Sequence, residues 1–326
     1  MALPKVILGA GAIGDAVDPV ARFTTPEITQ SYINTFRSYG HNTIDAARAY
    51  SPHCPGTCEP LLGATDFASW AIMDTKVPSP IAAPHTKANV HAAIDASLAA
   101  LKVDKVHAMY LHAIDRNTSF EETCEAMDEA FRAGKFEKFG LSNATGEDIE
   151  QFMEICGRRG FVKPGLYQGM YNALCRGAEE ELLPVLRKYE IPYYAYSPTA
   201  GGLFSGKLKT ESVAKGGRFD KDTKVGGLYR SWYFHDTILN AASEVHTTAL
   251  AHNTTGIGAA LRWLRFNSHL DGSKGDGLIL SASSIEQIEQ NLKWCDEGPL
   301  PQEVLESLEK VWVESKPYAP PCAWAG

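Results

Sequence analysis

Four residue types that can share one chemistry stand at the ends of short apolar runs. One run ends Ile44-Asp45, with Tyr50 five residues later; another ends Asp74-Thr75-Lys76; a third ends Leu111-His112. Further runs end Ser142-Asn143, at Gln168, in Tyr196-Ser197 and at Ser281. A tyrosine hydroxyl has an ordinary pKa of about 10, too high for efficient proton donation at neutral pH. A neighbouring lysine cation stabilises the phenolate and is expected to lower that value. An aspartate beside the lysine holds it and limits the cost of its burial. A histidine near the tyrosine can hydrogen-bond a carbonyl oxygen and orient it. The set therefore suits protonation of a carbonyl that receives a hydride from the other side. The hydride chemistry itself would belong to a nicotinamide cofactor.

Convergence of these groups requires elements that bring all the run ends to one rim. Eight strand candidates follow the chain: Val6–Leu8, Thr43–Ala46, Ala71–Lys76, Val106–His112, Lys138–Ser142, Leu166–Gln168, Pro192–Ser197 and Leu278–Ser281. Helix candidates lie between them at Ile28–Tyr39, Val90–Leu101, Glu121–Arg132, Glu147–Arg158, Glu179–Tyr189 and Ile257–Phe266. Single helices between single strands imply parallel pairing by right-handed crossovers, and eight such units fit a closed (β/α)8 barrel, a TIM barrel. Gly134 and Gly160 stand where helices should stop. Lys209–Asp236 is a long polar insertion after strand seven, and loops of that length are commonly functional. Beyond Gln302 the pattern gives one more helix, Val304–Val313, then a Pro-rich tail around Pro317, Pro320 and Pro321 that cannot be helical.

Several louder motifs fail on context. Gly9-Ala10-Gly11-Ala12-Ile13-Gly14 fits the dinucleotide fingerprint, but Asp15 to Pro19 follow where a helix should open. No acid-ending strand lies about 20 residues on. Small residues here instead leave room at a strand end for a close ligand. Gly201 to Lys207 nearly fits a P-loop, yet Leu208 stands where a magnesium-binding hydroxyl is needed. A Gly-rich loop that offers backbone N–H groups and a lysine to phosphate remains reasonable. His53-Cys54-x3-Cys58 lacks the rest of a zinc set and reads as an ordinary loop, so no metal is expected.

The 326 residues carry 31 basic and 39 acidic side chains, a formal charge of −8. That balance argues against a nucleic-acid partner, which needs a basic footprint. An apolar share of 44% is ordinary for a globular chain. No apolar stretch approaches the ~20 residues that cross a bilayer, and no secretory signal leads the sequence. With seven cysteines, an odd number, a cytoplasmic protein with reduced thiols is expected. Length alone permits one domain or two. The strand count favours a single barrel over 1–326, with a cofactor and substrate loop at about 197–236 and a C-terminal helix and tail at about 302–326.

Larger blocks carry a family resemblance. They are Ile44-Asp45-x4-Tyr50-Ser51, Thr75-Lys76, Tyr110-Leu111-His112-Ala113-x-Asp115 and Gly140-Leu141-Ser142-Asn143. Tyr167-Gln168-Gly169-Met170-Tyr171-Asn172-Ala173, Tyr196-x-Pro198-x-Ala200-Gly201-Gly202-Leu203, and the segment from Ser283 to Leu292 continue the series. In this order, across nearly the whole chain, they resemble the aldo-keto reductases, most closely their aflatoxin-aldehyde reductase branch. The resemblance implies Asp45, Tyr50, Lys76 and His112 as a catalytic tetrad, with NADPH across the barrel mouth. It implies Ser142, Asn143 and Gln168 at the carboxamide and Tyr196 stacked on the nicotinamide. The run containing Ser197, Pro198, Ala200, Gly201, Gly202, Leu203 and Lys207 would line the pyrophosphate. Ser283 and Ser284 would open a helix towards phosphate, with Gln287, Gln290 and Asn291 at the adenosine end.

Ser281 and Gln287 occupy positions where many relatives place Lys and Arg for the 2′-phosphate. Within the resemblance Arg218 compensates, so NADPH is expected over NADH on one arginine. Arg48 and the loop residues Tyr229, Arg230, Trp232 and Tyr233 are expected at the substrate, which would be bulky and aromatic. The tail from Tyr318 to Gly326 has no basic residue to meet an acidic substrate. The expected activity is reduction of an aldehyde or ketone. Aldehyde detoxification and aromatic secondary metabolism both fit it. The alternatives are a catalytically weak nucleotide-binding barrel that serves as a sensor or partner subunit, and a lyase or isomerase without nicotinamide. Monomer and homodimer are both open.

Overall fold

The computed structural model describes residues 2–208, 213 and 215–324. The strands are β1 (Lys5–Gly9), β2 (Thr43–Asp45), β3 (Ile72–Val77), β4 (Val106–Leu111), β5 (Phe136–Ser142), β6 (Pro164–Met170), β7 (Tyr193–Tyr196) and β8 (Gly277–Leu280). They pair in sequence order, and β8 pairs with β1 to close the barrel. Every pairing is parallel. The expected (β/α)8 barrel is what the chain forms.

Each crossover carries helix. α1 (Pro26–Ser38) follows β1 and α2 (Cys58–Leu62) follows β2, while α3 (Lys87–Leu101), α4 (Phe120–Arg132) and α5 (Gly146–Arg159) follow β3, β4 and β5. Thr25 caps α1 through its hydroxyl, Pro26 opens it, and Thr29, Tyr32, Ile33 and Phe36 form its buried face. Full burial of each large side chain on such a face stabilises by about 1.5–3 kcal/mol. α5 starts with a capping box between Thr145 and Asp148 and stops at Gly160, whose φ is 68°.

The Glu179–Tyr189 region is two helices, not the single one expected: α6 (Ala178–Glu181) and α7 (Leu183–Lys188). Pro184 has no N–H to continue the helix. The insertion after β7 is also less irregular than its composition suggests. It contains α8 (Lys224–Tyr233), capped by Thr223, and leads into α9 (Asp236–Ala251). Lys209–Ser212 and Ala214 lie outside the described residues. α10 (Gly256–Arg262) precedes β8; α11 (Ile285–Asp296) and α12 (Gln302–Ser315) follow it. Pro317 sits inside one further helical turn, Lys316–Tyr318, where its missing N–H falls among the first-turn groups that have no intrahelical partner.

Ile7, Ala108, Tyr110, Leu166, Tyr194 and Ile279 form a packed cluster of their own among the strands, as the interior of such a barrel requires. Register then sets the rim. Gly9 pairs Asp45, Asp45 pairs Asp74, Lys76 pairs Tyr110, Ser142 pairs Gln168, and Met170 pairs Tyr196. Side chains alternate faces along a strand, so Asp74 and Lys76 share one face of β3. Thr75, on the other face, donates its hydroxyl to Glu59 of α2 at 2.7 Å. No helix among the described residues is long and apolar enough to cross a membrane.

Candidate active site

Asp45, Tyr50, Lys76 and His112 meet at the C-terminal rim. Lys76 is fully buried and spends its three N–H bonds on Asp45 Oδ1 at 2.7 Å, the Ala46 carbonyl at 2.6 Å and Tyr50 Oη at 3.0 Å. Tyr50 donates its own proton to Asp45 Oδ2 at 2.8 Å. Gln168 Nε2 donates to Asp45 Oδ1 at 2.8 Å. The aspartate is thus saturated with donors, which offsets the cost of its complete burial. The His112 ring stands edge-on to the Tyr50 ring, with centroids 5.9 Å apart.

The electrostatics correct one expectation. Lys76 touches the Tyr50 oxygen, yet burial, and after it the Asp45 carboxylate, hold the phenol well above its ordinary value of 10. Tyr50 therefore keeps its proton throughout the neutral range in this arrangement. The lysine N–H already aimed at that oxygen would stabilise a phenolate only as the proton leaves. Burial first, then the Lys76 cation, pushes His112 down to about 3, so its imidazole is neutral at physiological pH. A neutral ring can donate one hydrogen bond to an oxygen without carrying charge. Its Nδ1 has no protein partner.

A cavity of about 600 Å³ opens over these groups, with Tyr50 and His112 in its wall. Ser142, Asn143, Gln168, Tyr196, Ser197, Pro198, Gly201 and Gly202 line it. Asn143 is in the left-handed region (φ 57°); its amide donates to the His112 carbonyl at 2.9 Å and its oxygen accepts from the Tyr196 hydroxyl at 2.7 Å. Gly201 and Gly202 have φ of 71° and 93°. A Cβ on Gly201 would lie 2.6 Å from the Tyr229 ring, so loop and wall could not both keep their places. Arg218, Ser281, Ser283, Gln287 and Asn291 also line the cavity. Asn291 is buried, and its Oδ1 has no partner. Gly9, Gly11 and Ala12 also line the cavity, and the first helix opens only at Pro26. No helix opens at the end of β1, so the motif does not form a Rossmann turn; a Cβ on Gly9 would lie 2.4 Å from Ser281 Oγ and one on Gly14 2.4 Å from Ser51 Oγ.

Other expected positions fall elsewhere. Ala200 and Leu203 turn into the core, and Lys207 is exposed beside the wall rather than in it. Ser284 caps α11 by accepting from the Gln287 N–H at 3.2 Å. Ser283 gives its own N–H and hydroxyl to the Gln287 side chain, so this helix start is already partly satisfied. Gln290 is half-buried outside the lining.

Among the candidate substrate contacts, only Tyr229 and Trp232 face the cavity. Tyr233 is fully buried, its hydroxyl near Met170 and Asn172. Arg230 stacks on Phe234 with 4.0 Å to the ring centroid. Arg48 pairs with the buried Glu59 at 3.1 Å. These three are structural because an apolar core or a buried carboxylate lies within their reach, which spacing alone could not reveal. Arg48→Ala should therefore lower thermal stability by about 1–3 kcal/mol through an unpaired buried acceptor. The KM for a carbonyl should stay unchanged; a raised KM with unchanged melting would return Arg48 to the substrate.

Several lining residues escaped the sequence reading, Trp324, Arg22 and Lys215 among them. Trp324 reaches the cavity because its N–H bonds the Asn143 carbonyl at 3.0 Å and its carbonyl accepts from Arg116 at 2.8 Å. Arg22 lines the wall while holding the Pro19 carbonyl at 2.8 Å and the Gly216 carbonyl. Lys215 lines it too. No local pattern marks any of them; each arrives through the folding of a loop or tail. His53 and Cys58 take no metal-type arrangement: His53 pairs with Asp18 at 3.1 Å, and no metal-binding cluster occurs among the described residues.

The barrel, with a tyrosine, lysine and aspartate joined by hydrogen bonds at its C-terminal rim, is the frame of a barrel oxidoreductase. The Aldo/keto reductase family model matches residues 5–313, and the chain belongs to that family. An aldo-keto reductase of Pseudocercospora fijiensis is 35% identical over 297 residues, covering 88% of this chain and 99% of its own. The aldo-keto reductase pigE of Monascus ruber is 33% identical, covering 97% and 96%. Aflatoxin B1 aldehyde reductase member 4 of Homo sapiens is also 33% identical, covering 95% and 94%. Family and relatives support carbonyl reduction by an enzyme.

Proposed function

We propose that the chain is an NADPH-dependent reductase of bulky, aromatic aldehydes or ketones. The observation that carries this reading is the Tyr50 hydroxyl, held between Lys76 and Asp45 in the wall of a cavity of about 600 Å³. When bound, the nicotinamide supplies the hydride. The unpartnered Asn291 Oδ1, the open backbone at Gly201 and Gly202, and the Arg218 guanidinium suit an adenosine phosphate arm. Ser142, Asn143, Gln168 and Tyr196 would hold the nicotinamide end. The neutral His112 orients the carbonyl oxygen, Tyr50 gives that oxygen its proton, and Lys76 stabilises the phenolate that remains. Tyr229, Trp232 and Trp324 supply aromatic surface, which supports a flat, apolar substrate. One barrel serves the whole chain, with selectivity concentrated in the loop after β7 and the C-terminal tail.

The test of the cofactor assignment is a carbonyl panel run with NADPH and with NADH, repeated on Arg218→Ala. Arg218 lines the cavity, and its guanidinium lies 5.8 Å from the Tyr229 ring centroid. Loss of one charge-assisted contact costs about 1.5–3 kcal/mol, so the NADPH preference should fall roughly 10–150-fold. An unchanged preference removes Arg218 from the 2′-phosphate.

A further inference from the structure

Beneath the Tyr50–Lys76–Asp45 set lies a second polar pair that this mechanism does not use. Asp74 is fully buried on β3 and pairs in register with Asp45 of β2. Parallel neighbours lie about 4.8 Å apart, and Lys76, whose three N–H bonds go to Asp45, the Ala46 carbonyl and Tyr50, gives none to Asp74. His107 of β4 closes the account: its Nδ1 is 2.7 Å from Asp74 Oδ1, and its side chain is 22% exposed, within reach of solvent. Asp74 Oδ2 and the buried Tyr110 hydroxyl have no partners. Lys76 Nζ is 5.8 Å from the Tyr110 ring centroid, which links this layer to the rim.

We propose that Asp74 and His107 share one proton and act as a positioning pair that sets the charge beneath Lys76, and through it the acidity of Tyr50. With the shared proton in place the pair is neutral, and Asp45 and Lys76 balance each other. When it departs to solvent through His107, a net negative charge remains below Lys76. That charge opposes phenolate formation, so the pair keeps Tyr50 protonated as the medium turns alkaline. Burial raises the Asp74 carboxyl, as a carboxylate beside a second one should behave. The other charged or titratable groups near the pair are Lys5, Lys138, Glu137 and Tyr194. Lys5 is already engaged by the Tyr194 hydroxyl at 2.8 Å. Glu137 pairs with Lys105 at 2.7 Å.

This inference concerns the group named above as the proton donor, and its test does not depend on turnover. The full chain is labelled with ring-13C tyrosine, and the Tyr50 signal is identified by its loss in Tyr50→Phe. Its alkaline titration is then followed in wild type, Asp74→Asn and His107→Gln. Asp74→Asn removes the negative charge and should lower the Tyr50 midpoint by on the order of one pH unit. His107→Gln keeps the Asp74 charge at alkaline pH and should leave the midpoint at the wild-type value. A midpoint unmoved in Asp74→Asn, or moved alike in both variants, overturns the proposal, since a merely structural pair would respond the same way to either change. Absence of carbonyl reduction in wild type would instead defeat the function proposed above.

Discussion

Tyr50→Phe should bind NADPH as the wild type does and lose turnover by about 10²–10⁴-fold, the usual worth of a general acid. In free-energy terms that is about 2.7–5.4 kcal/mol of transition-state stabilisation. Most of the buried network survives the substitution. Without the hydroxyl, Lys76 still holds Asp45 and the Ala46 carbonyl, and Asp45 still accepts from Lys76 and Gln168. Asp45 Oδ2 and one Lys76 N–H lose their buried partner, so folding stability should fall by about 1–3 kcal/mol. A kinetic loss far larger than the stability loss separates a proton donor from a packing residue. If turnover of an aromatic aldehyde by Tyr50→Phe matches wild type, the acid has been assigned to the wrong group.

Lys76→Met is expected to cost both activity and fold. It leaves the fully buried Asp45 carboxylate with only neutral donors, and an uncompensated buried charge typically destabilises by about 3–5 kcal/mol. The signature lies in the double variant. Asp45→Asn with Lys76→Met removes both charges, so much of the lost stability should return while activity does not. Chemical denaturation of wild type, both single variants and the double variant gives the coupling directly. Strictly additive losses would mean that the pair is not an interacting buried unit.

The architecture was largely legible in the sequence because its signals are periodic. Short apolar runs such as Val6–Leu8 and Leu278–Ser281 alternate with amphipathic stretches, and all eight runs became strands within a few residues of their expected bounds. The polar run ends then converge because parallel strands in one barrel share a direction. Asp45, Tyr50, Lys76 and His112 could be placed at one rim before any distance was known. Two kinds of feature escaped. Breaks such as the one at Leu182 and Pro184 depend on a single missing N–H inside a helical pattern. The loop and tail contacts depend on tertiary neighbours. Arg48 reads as a mouth residue until Glu59 of α2 is placed beneath it. Tyr233 reads as a substrate contact until the fold buries it behind Tyr229, its i,i+4 neighbour on α8, with ring centroids 6.1 Å apart. Trp324 sits in a tail with no pattern, yet its backbone bonds at both ends hold it in the cavity wall.

The −8 charge takes on a more specific meaning beside this geometry. On the proposed function, a chain that repels anions overall must gather cations locally to hold a dinucleotide, and Arg22, Lys215 and Arg218 all line the cavity. Two of these three lie in the insertion after β7, so the proposed function puts part of the cofactor affinity in a segment outside the barrel itself.

The most direct test of the central claim is a single mixing experiment. The full-length protein is combined with NADPH and a bulky aromatic aldehyde, and nicotinamide absorbance, tryptophan fluorescence and alcohol product are followed together. The reductase reading requires fluorescence quenching on NADPH binding, followed by cofactor oxidation with one alcohol formed per NADPH consumed. Quenching without oxidation across a panel of aldehydes and ketones would contradict it and point to a nucleotide-binding barrel that does not catalyse.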